Sequence, residues 1–396
     1  EWSPFSPLER RLRGIAEELA GARRVRDLAA VINRAKPDLA RVLASRFAPL
    51  EAKALTVKLL NILLARRHFD NRDSRLLSQP IGLIVDPSNT CQLACPGCVH
   101  SDSAAPLLVW PNATLAESAF AGLLKQYGTA AVGVYLSDYG EPLLNLRTPA
   151  LIRMAKRRLI TAGLSTSLSV RRFDAEAYVE SGLDFMILSI DGATQSVYQR
   201  FRRNGDLSRV LGNVERLVAA KRQLGSATPV LSWNFLAFEH NRHEIGKAER
   251  MARELGVDRF RVVRPFDIGW DDPSIRAANV RPRVKRLTWK FADNWNPFPR
   301  ELAADEIESA FDARFEAEEG TPPTSPGHTC HWLYKNLIMD AAGRIMPCCG
   351  APGHDGGLVF ARAGEVDPFN SPLYREARRH FTGAPAPDVH CSRCVW

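Results

Sequence analysis

Between residues 81 and 266 six short apolar runs alternate with longer stretches of helical periodicity. The runs are "IGLIVDP", "AVGVYLS", "GLSTSLSV", "DFMILSI", "PVLSWNFLAF" and "RFRVVRPF"; helical segments intervene at about 114–128, 146–162, 174–181, 206–225 and 241–256. A parallel neighbour is reached only through a crossover, so this alternation builds a parallel sheet covered by helices, with right-handed connections. Six units fall short of the eight that close a full barrel. The expected fold is α/β, a partial (β/α)6 TIM barrel that stays open. In such sheets ligands gather at the C-terminal strand ends.

The flanks differ in texture. Residues 1–80 carry apolar residues at helical spacing with arginines between them, punctuated by Pro37 and Pro49, and read as an N-terminal helical cap. Their basic amphipathic faces leave peripheral contact with a membrane or an acidic partner open. Residues 81–270 form the barrel, and residues 271–325, rich in Pro, Trp, Arg and Glu, form a linker or lid. Residues 326–396 make a small cysteine-bearing module, too short for a large core of its own and expected to gain from a metal centre. No run of apolar residues reaches membrane-spanning length, and the N-terminus lacks a secretory apolar core, so a cytoplasmic location is expected. The formal charge of +9 favours anionic partners. Zinc-finger spacing and RNA-recognition signatures are missing, which disfavours nucleic acid.

Eight cysteines are too few for a disulfide scaffold of this length, but they are segregated. Cys91, Cys95 and Cys98 lie in "CQLACPGCVH", directly after the first strand; Cys330, Cys348, Cys349, Cys391 and Cys394 occupy the last 67 residues. Three thiolates on one rim loop point to a metal centre. A structural zinc ion takes four ligands, with His100 the nearest fourth candidate; three thiolates also suit a [4Fe–4S] cluster with one iron open.

The CxxxCxxC spacing after a first strand resembles the radical S-adenosylmethionine (SAM) superfamily. That resemblance implies an open iron that binds the amino and carboxylate groups of SAM. It also implies reductive cleavage to a 5′-deoxyadenosyl radical, and hydrogen abstraction from an organic substrate. Gly140-Glu141-Pro142, in "SDYGEPLLN", is similar to the family's GEP motif, whose backbone receives the SAM amino group; Asp138 and Tyr139 stand where further glycines are common. The stretch "ILSIDGATQSVYQRFRRNGDLSRVLGNVERL" resembles the peptide- and small-molecule-modifying branch. It implies that Ser189 and Asp191 lie near the SAM ribose and that Arg202 pairs with the SAM carboxylate, with Ser165 and Ser167 as further ribose-side candidates. Gly97 replaces a frequent aromatic, so adenine contacts are expected from Val99 or from Val263 to Phe266.

Cys330, twelve residues, Gly343, four residues and Cys348, followed by Cys391-x-x-Cys394, resemble the SPASM and twitch modules. This implies a second [4Fe–4S] cluster held by Cys330, Cys348, Cys391 and Cys394. Cys349 is left over, as a small buried residue or as the hydrogen-atom donor of an epimerase. Asp267 and Trp270 fall where a substrate pocket is expected. The implied partners are an electron donor such as flavodoxin or ferredoxin and a substrate left open among small molecules, lipids and peptides. The alternatives are an epimerase using Cys349, a radical methyltransferase and a non-catalytic, zinc-stapled binding module.

Overall fold

The structure is a computed structural model that describes residues 7–45, 47–101, 112–265, 272–286, 330–348, 358–382 and 391. Three helices come first: α1 (Pro7–Gly21), α2 (Val25–Ala44) and α3 (Pro49–Asp70). They bury one apolar cluster that includes Ile15, Leu19, Leu28, Leu39 and Leu59. Pro49 opens α3 at its first position, where a missing N–H costs nothing. Pro37 does not break the chain as expected but sits inside α2. The lost hydrogen bond there is outweighed by burial of Ala35, Leu39 and Leu43 on either side of it.

Helix α3 is fastened to the barrel by two polar side chains. The buried Lys58 Nζ donates to the carbonyls of Gly128 (3.1 Å) and Ala131. Burial, with Arg158 nearby, pushes its pKa down to about 7. Asn61 clasps Gln79, donating to its carbonyl at 2.9 Å and accepting from its N–H at 2.8 Å.

All six expected strands form: β1 (Gly82–Val85), β2 (Gly133–Tyr135), β3 (Thr161–Thr166), β4 (Phe185–Ser189), β5 (Val230–Leu236) and β6 (Arg259–Val263). They lie side by side in chain order, every pair parallel. Outside them run α4 (Glu117–Tyr127), α5 (Thr148–Lys156), α6 (Ala175–Glu180), α7 (Gln195–Phe201), α8 (Leu207–Gln223) and α9 (Ile245–Leu255). Helix α7, too short to show a periodicity of its own, is an addition to the expected set. Along β4, Met186 and Leu188 are fully buried under the helices, while Phe185, Ile187 and Ser189 alternate onto the less buried lumen side.

The sheet does not stop at β6. β7 (Arg283–Arg286) adds antiparallel to β6, and on the opposite flank β8 (Asn336–Met339) runs parallel to β1. β9 (Arg344–Met346) and β10 (Ala361–Arg362) follow antiparallel, giving ten strands in the order β10-β9-β8-β1-β2-β3-β4-β5-β6-β7, an open partial barrel. Gly82 lets β8 approach: a Cβ there would lie 2.4 Å from Asn336 Oδ1. The C-terminal residues therefore share the barrel's core and do not build one of their own; Leu337, Ile345, Phe360, Tyr374 and Cys391 belong to the same cluster as Leu83 and Trp233. Arg378, in the helix Pro372–His380, is wholly buried. It donates to the carbonyls of Leu333, Phe369 and Ser74 and to Asn370 Oδ1, and lies over the rings of Tyr334, Phe369 and Tyr374. Among the described residues no helix is long and apolar enough to cross a membrane.

Candidate active site and metal centre

β1 delivers the chain to the rim, where Asp86 follows it. The Asp86 carboxylate is fully buried and accepts three consecutive N–H groups, from Asp138 (2.7 Å), Tyr139 (3.1 Å) and Gly140 (3.3 Å). Burial still pushes its pKa up to about 7, against the pull of these three N–H groups. This nest fixes the turn after β2, and sequence reasoning missed it; an Asp placed immediately after a strand was the available signal.

The same turn presses on the segment leading to the cysteines. Glu141 N–H donates to Thr90 O at 2.8 Å, and a Cβ on Gly140 would stand 1.6 Å from Ser88 O, so only glycine fits. The Glu141 carboxylate is buried and accepts from Thr166 Oγ1 (2.6 Å), Ser167 N (2.9 Å), Ser167 Oγ (2.7 Å) and Leu143 N (3.2 Å). Gln92 then donates to Ser167 Oγ at 3.1 Å. Glu141 is thus a strut between the ends of β2 and β3, and Pro142 starts a 3-10 turn, Pro142–Leu144. Three buried asparagines clamp the remaining rim loops, each donating to two carbonyls: Asn145 to Pro87 and Leu115, Asn213 to Leu168 and Val170, Asn241 to Asp191 and Leu236.

Cys91, Cys95 and Cys98 sit inside this frame. Cys98 N–H donates to Cys95 O at 3.0 Å, closing a turn that Gly97 allows with φ +73. No disulfide joins any of the six described cysteines. Burial pushes all three rim thiols up, Cys95 to about 11; Glu141 adds to the effect at Cys91, while Arg202 opposes it at Cys95 and the His100 N–H at Cys98. Arg202 Nη1 lies 3.8 Å from Cys95 Sγ, and its Nε donates to Asp191 Oδ2 at 2.6 Å. Asp191 is fully buried and also accepts from Leu236 N at 2.7 Å. Burial pushes its carboxyl up, and the Arg202 guanidinium and the Leu236 N–H pull it back.

The other expected residues fall as follows. Ser165 and Ser189, on adjacent strands, hydrogen-bond at 3.1 Å as one lumen wall. Ser167 is taken up by Glu141 and Gln92. The His100 ring bonds the Tyr139 backbone, and burial pushes its pKa down. Val99 and Cys98 join Ile84, Tyr135, Tyr139, Trp332, Ile338 and Met346 in one apolar cluster that also takes in Cys330 and Cys348. Cys391 lies in the main core, and both it and Cys348 act on Tyr374. Phe266, Asp267, Trp270, Cys349 and Cys394 lie outside the described residues.

The donor set fits an iron–sulfur cluster. Three thiols on one short loop, Cys95 buried and Cys91 and Cys98 half-buried, cannot all ionise beside one another unless a cationic centre replaces their protons. Among the described residues no three His, Cys, Asp or Glu side chains close on one point as a single ion requires.

Comparison with known proteins agrees. The radical SAM superfamily profile matches residues 85–231, from the end of β1 into β5. The PqqA peptide cyclase of Gluconobacter oxydans is 28% identical over 280 residues, 70% of this chain and 72% of that protein. Among solved structures, Streptococcus suis SuiB aligns with a TM-score of 0.51 at 16% identity, over 84% of this chain and 74% of its own. SuiB bound to the precursor peptide SuiA aligns with a TM-score of 0.50 at 15% identity, over 84% and 72%.

Proposed function

Because this chain belongs to the radical SAM superfamily, we propose that it carries out a radical, net-oxidative modification of a peptide, with one sulfur set on each side of the substrate. The observation that carries the reading is the apolar cluster that includes Tyr135 and Trp332, against which Cys98 of the first set and Cys330 and Cys348 of the second all pack. Two relatives support a peptide: the PqqA peptide cyclase by its name, and SuiB by the precursor peptide bound to it.

Cys91, Cys95 and Cys98 would hold the first cluster, and Cys330, Cys348, Cys391 and Cys394 the second. When bound, the first cluster with SAM supplies a hydrogen-abstracting radical, and the second an electron acceptor. The chain's own residues do the rest. Arg202 keeps a fixed positive charge beside Cys95, aimed by Asp191, where an anionic carboxylate is favoured. The Asp86 nest spends the N–H groups of residues 138–140, so this turn offers carbonyls rather than N–H donors to an ammonium group. Ser165 and Ser189 offer paired hydroxyls for a ribose. Ile84, Val99, Trp332 and Ile338 exclude water from the lumen, which protects a radical from quenching.

The test is anaerobic purification with iron and sulfide analysis, then reduction with SAM and chromatography for 5′-deoxyadenosine. About eight irons and 5′-deoxyadenosine formation are expected. Zinc without sulfide, or no SAM cleavage, would sink the reading.

A further inference from the structure

We propose that a cleft on the outer side of the cysteine loop is the docking site for a small acidic electron-transfer protein. The inference rests on the radical reading above, which requires one electron to arrive at the Cys91–Cys98 region from outside. The cleft encloses about 520 Å³ between the turn after β2, the loop after β3 and the α7–α8 connection. Its lining includes Gln92, the residue next to Cys91, so an occupant stands beside the cysteine loop.

The lining has the composition of a transient protein interface. Leu144 and Leu146 are 39% and 60% exposed, large apolar side chains left uncovered by the described residues. Around them stand Arg171, Arg172 and Arg209, and no acidic residue lines the cleft. Arg209 is partly neutralised by Asp206 at 3.0 Å. Arg171 and Arg172 are exposed, and neither makes an ion pair or hydrogen bond among the described residues. An apolar centre with a single-sign cationic rim complements a partner that is acidic around an apolar contact, and such complementarity acts mainly on the association rate.

The electron balance is simple. An anionic flavin hydroquinone would give up one electron and become the neutral semiquinone, and a cluster held by Cys91, Cys95 and Cys98 would gain it. No atom or proton crosses the interface.

The test compares wild type with Arg171→Glu/Arg172→Glu, both on the cluster-loaded protein. Stopped-flow absorbance follows the oxidation of flavodoxin hydroquinone, a readout that needs no SAM turnover. In the variant the second-order rate at low salt should fall about tenfold or more and lose most of its salt dependence. Reduction by dithionite, and 5′-deoxyadenosine formed with it, should stay within about twofold. An unchanged flavodoxin rate overturns the proposal, and so does an equal loss with both reductants. If flavodoxin reduction is spared while binding of an acidic peptide weakens, the cleft belongs to substrate and the proposal also falls. A wild type that accepts electrons from flavodoxin but cleaves no SAM would count against the radical reading and leave the docking site standing.

Discussion

The two cysteine regions meet one apolar cluster, yet the groups around them differ. The Cys91–Cys98 loop is built from buried polar groups: the Asp86 nest, the Glu141 strut and the Arg202–Asp191 pair. Cys330 and Cys348 flank the strands β8 and β9 that extend the sheet, and both pack against the apolar cluster of Trp332, Ile338 and Met346. A polar frame fixes direction and charge, which the anion binding and electron acceptance proposed for this site would need. An apolar frame fixes position and keeps water out. The first region should therefore be sensitive to changes that conserve size and alter charge, the second to changes in size.

The largest effect should come from removing the sulfurs themselves. Cys91→Ala/Cys95→Ala/Cys98→Ala is expected to abolish 5′-deoxyadenosine formation while circular dichroism shows a folded chain. Cys330→Ala/Cys348→Ala should leave SAM cleavage within a few-fold and lose conversion of substrate. Chromatography of the two variants side by side decides this; equal loss in both would mean that the regions do not divide the chemistry.

Next comes a swap of buried charge. Arg202→Met leaves the Asp191 carboxylate with the Leu236 N–H as its one remaining partner among the described residues, at a cost of about 3–5 kcal/mol. Arg202→Met/Asp191→Asn should recover part of that loss, since the two side chains are directly coupled. Urea unfolding of the three proteins tests it. Additive losses would show that Arg202 is not held by charge, and the contrast with the apolar region would weaken.

A third effect is titratable. Asp86 has a folded-state pKa raised to about 7, so between the unfolded carboxylate value near 4 and pH 7 the folded chain holds the extra proton. Stability is then fully present below pH 4 and is lost as pH rises from there through 7, by about 4 kcal/mol at this position. Asp86→Asn cannot titrate, so the stability difference between wild type and variant should shrink or invert over that window. A difference that is flat from pH 4 to 7.5 would show that the three N–H groups keep Asp86 ionised throughout.

How much of this could be read beforehand follows the same division. The six strands were legible because period and length are local properties, and the cysteine loop because its residues adjoin in the chain. β8 beside β1 was not: the pairing joins Gly82 to Asn336 across more than 250 positions, and a four-residue strand leaves little pattern. Gly140-Glu141-Pro142 was visible as a motif, but its carboxylate partners Thr166 and Ser167 become neighbours only when β3 lies beside β2. Likewise Asp191 and Arg202 were singled out separately for different atoms of the cofactor, and their 2.6 Å bond to each other appears only in three dimensions. Asp340, by contrast, forms a local hairpin device, accepting from the N–H groups of Ala342 and Arg344, that a turn analysis could have found.

That hairpin carries the smallest expected effect and probes the apolar side of the comparison. Gly343 closes the β8–β9 turn with φ +79, its N–H donating to Asp340 O at 3.0 Å. A Cβ there would meet Ala363 Cβ at 3.4 Å, so space is available and the backbone conformation sets the cost. Placing alanine in the left-handed region costs about 1–2 kcal/mol, and the stiffer unfolded chain returns about 0.4–1 kcal/mol. Gly343→Ala should then destabilise by about 1 kcal/mol and leave SAM cleavage untouched, because Cys348 is positioned by Met346 and Trp332 and not by the turn. Thermal unfolding and 5′-deoxyadenosine formation are the two measurements. A loss above about 3 kcal/mol would place the control of Cys348 in local backbone geometry, and the apolar region would then be as directionally built as the polar one.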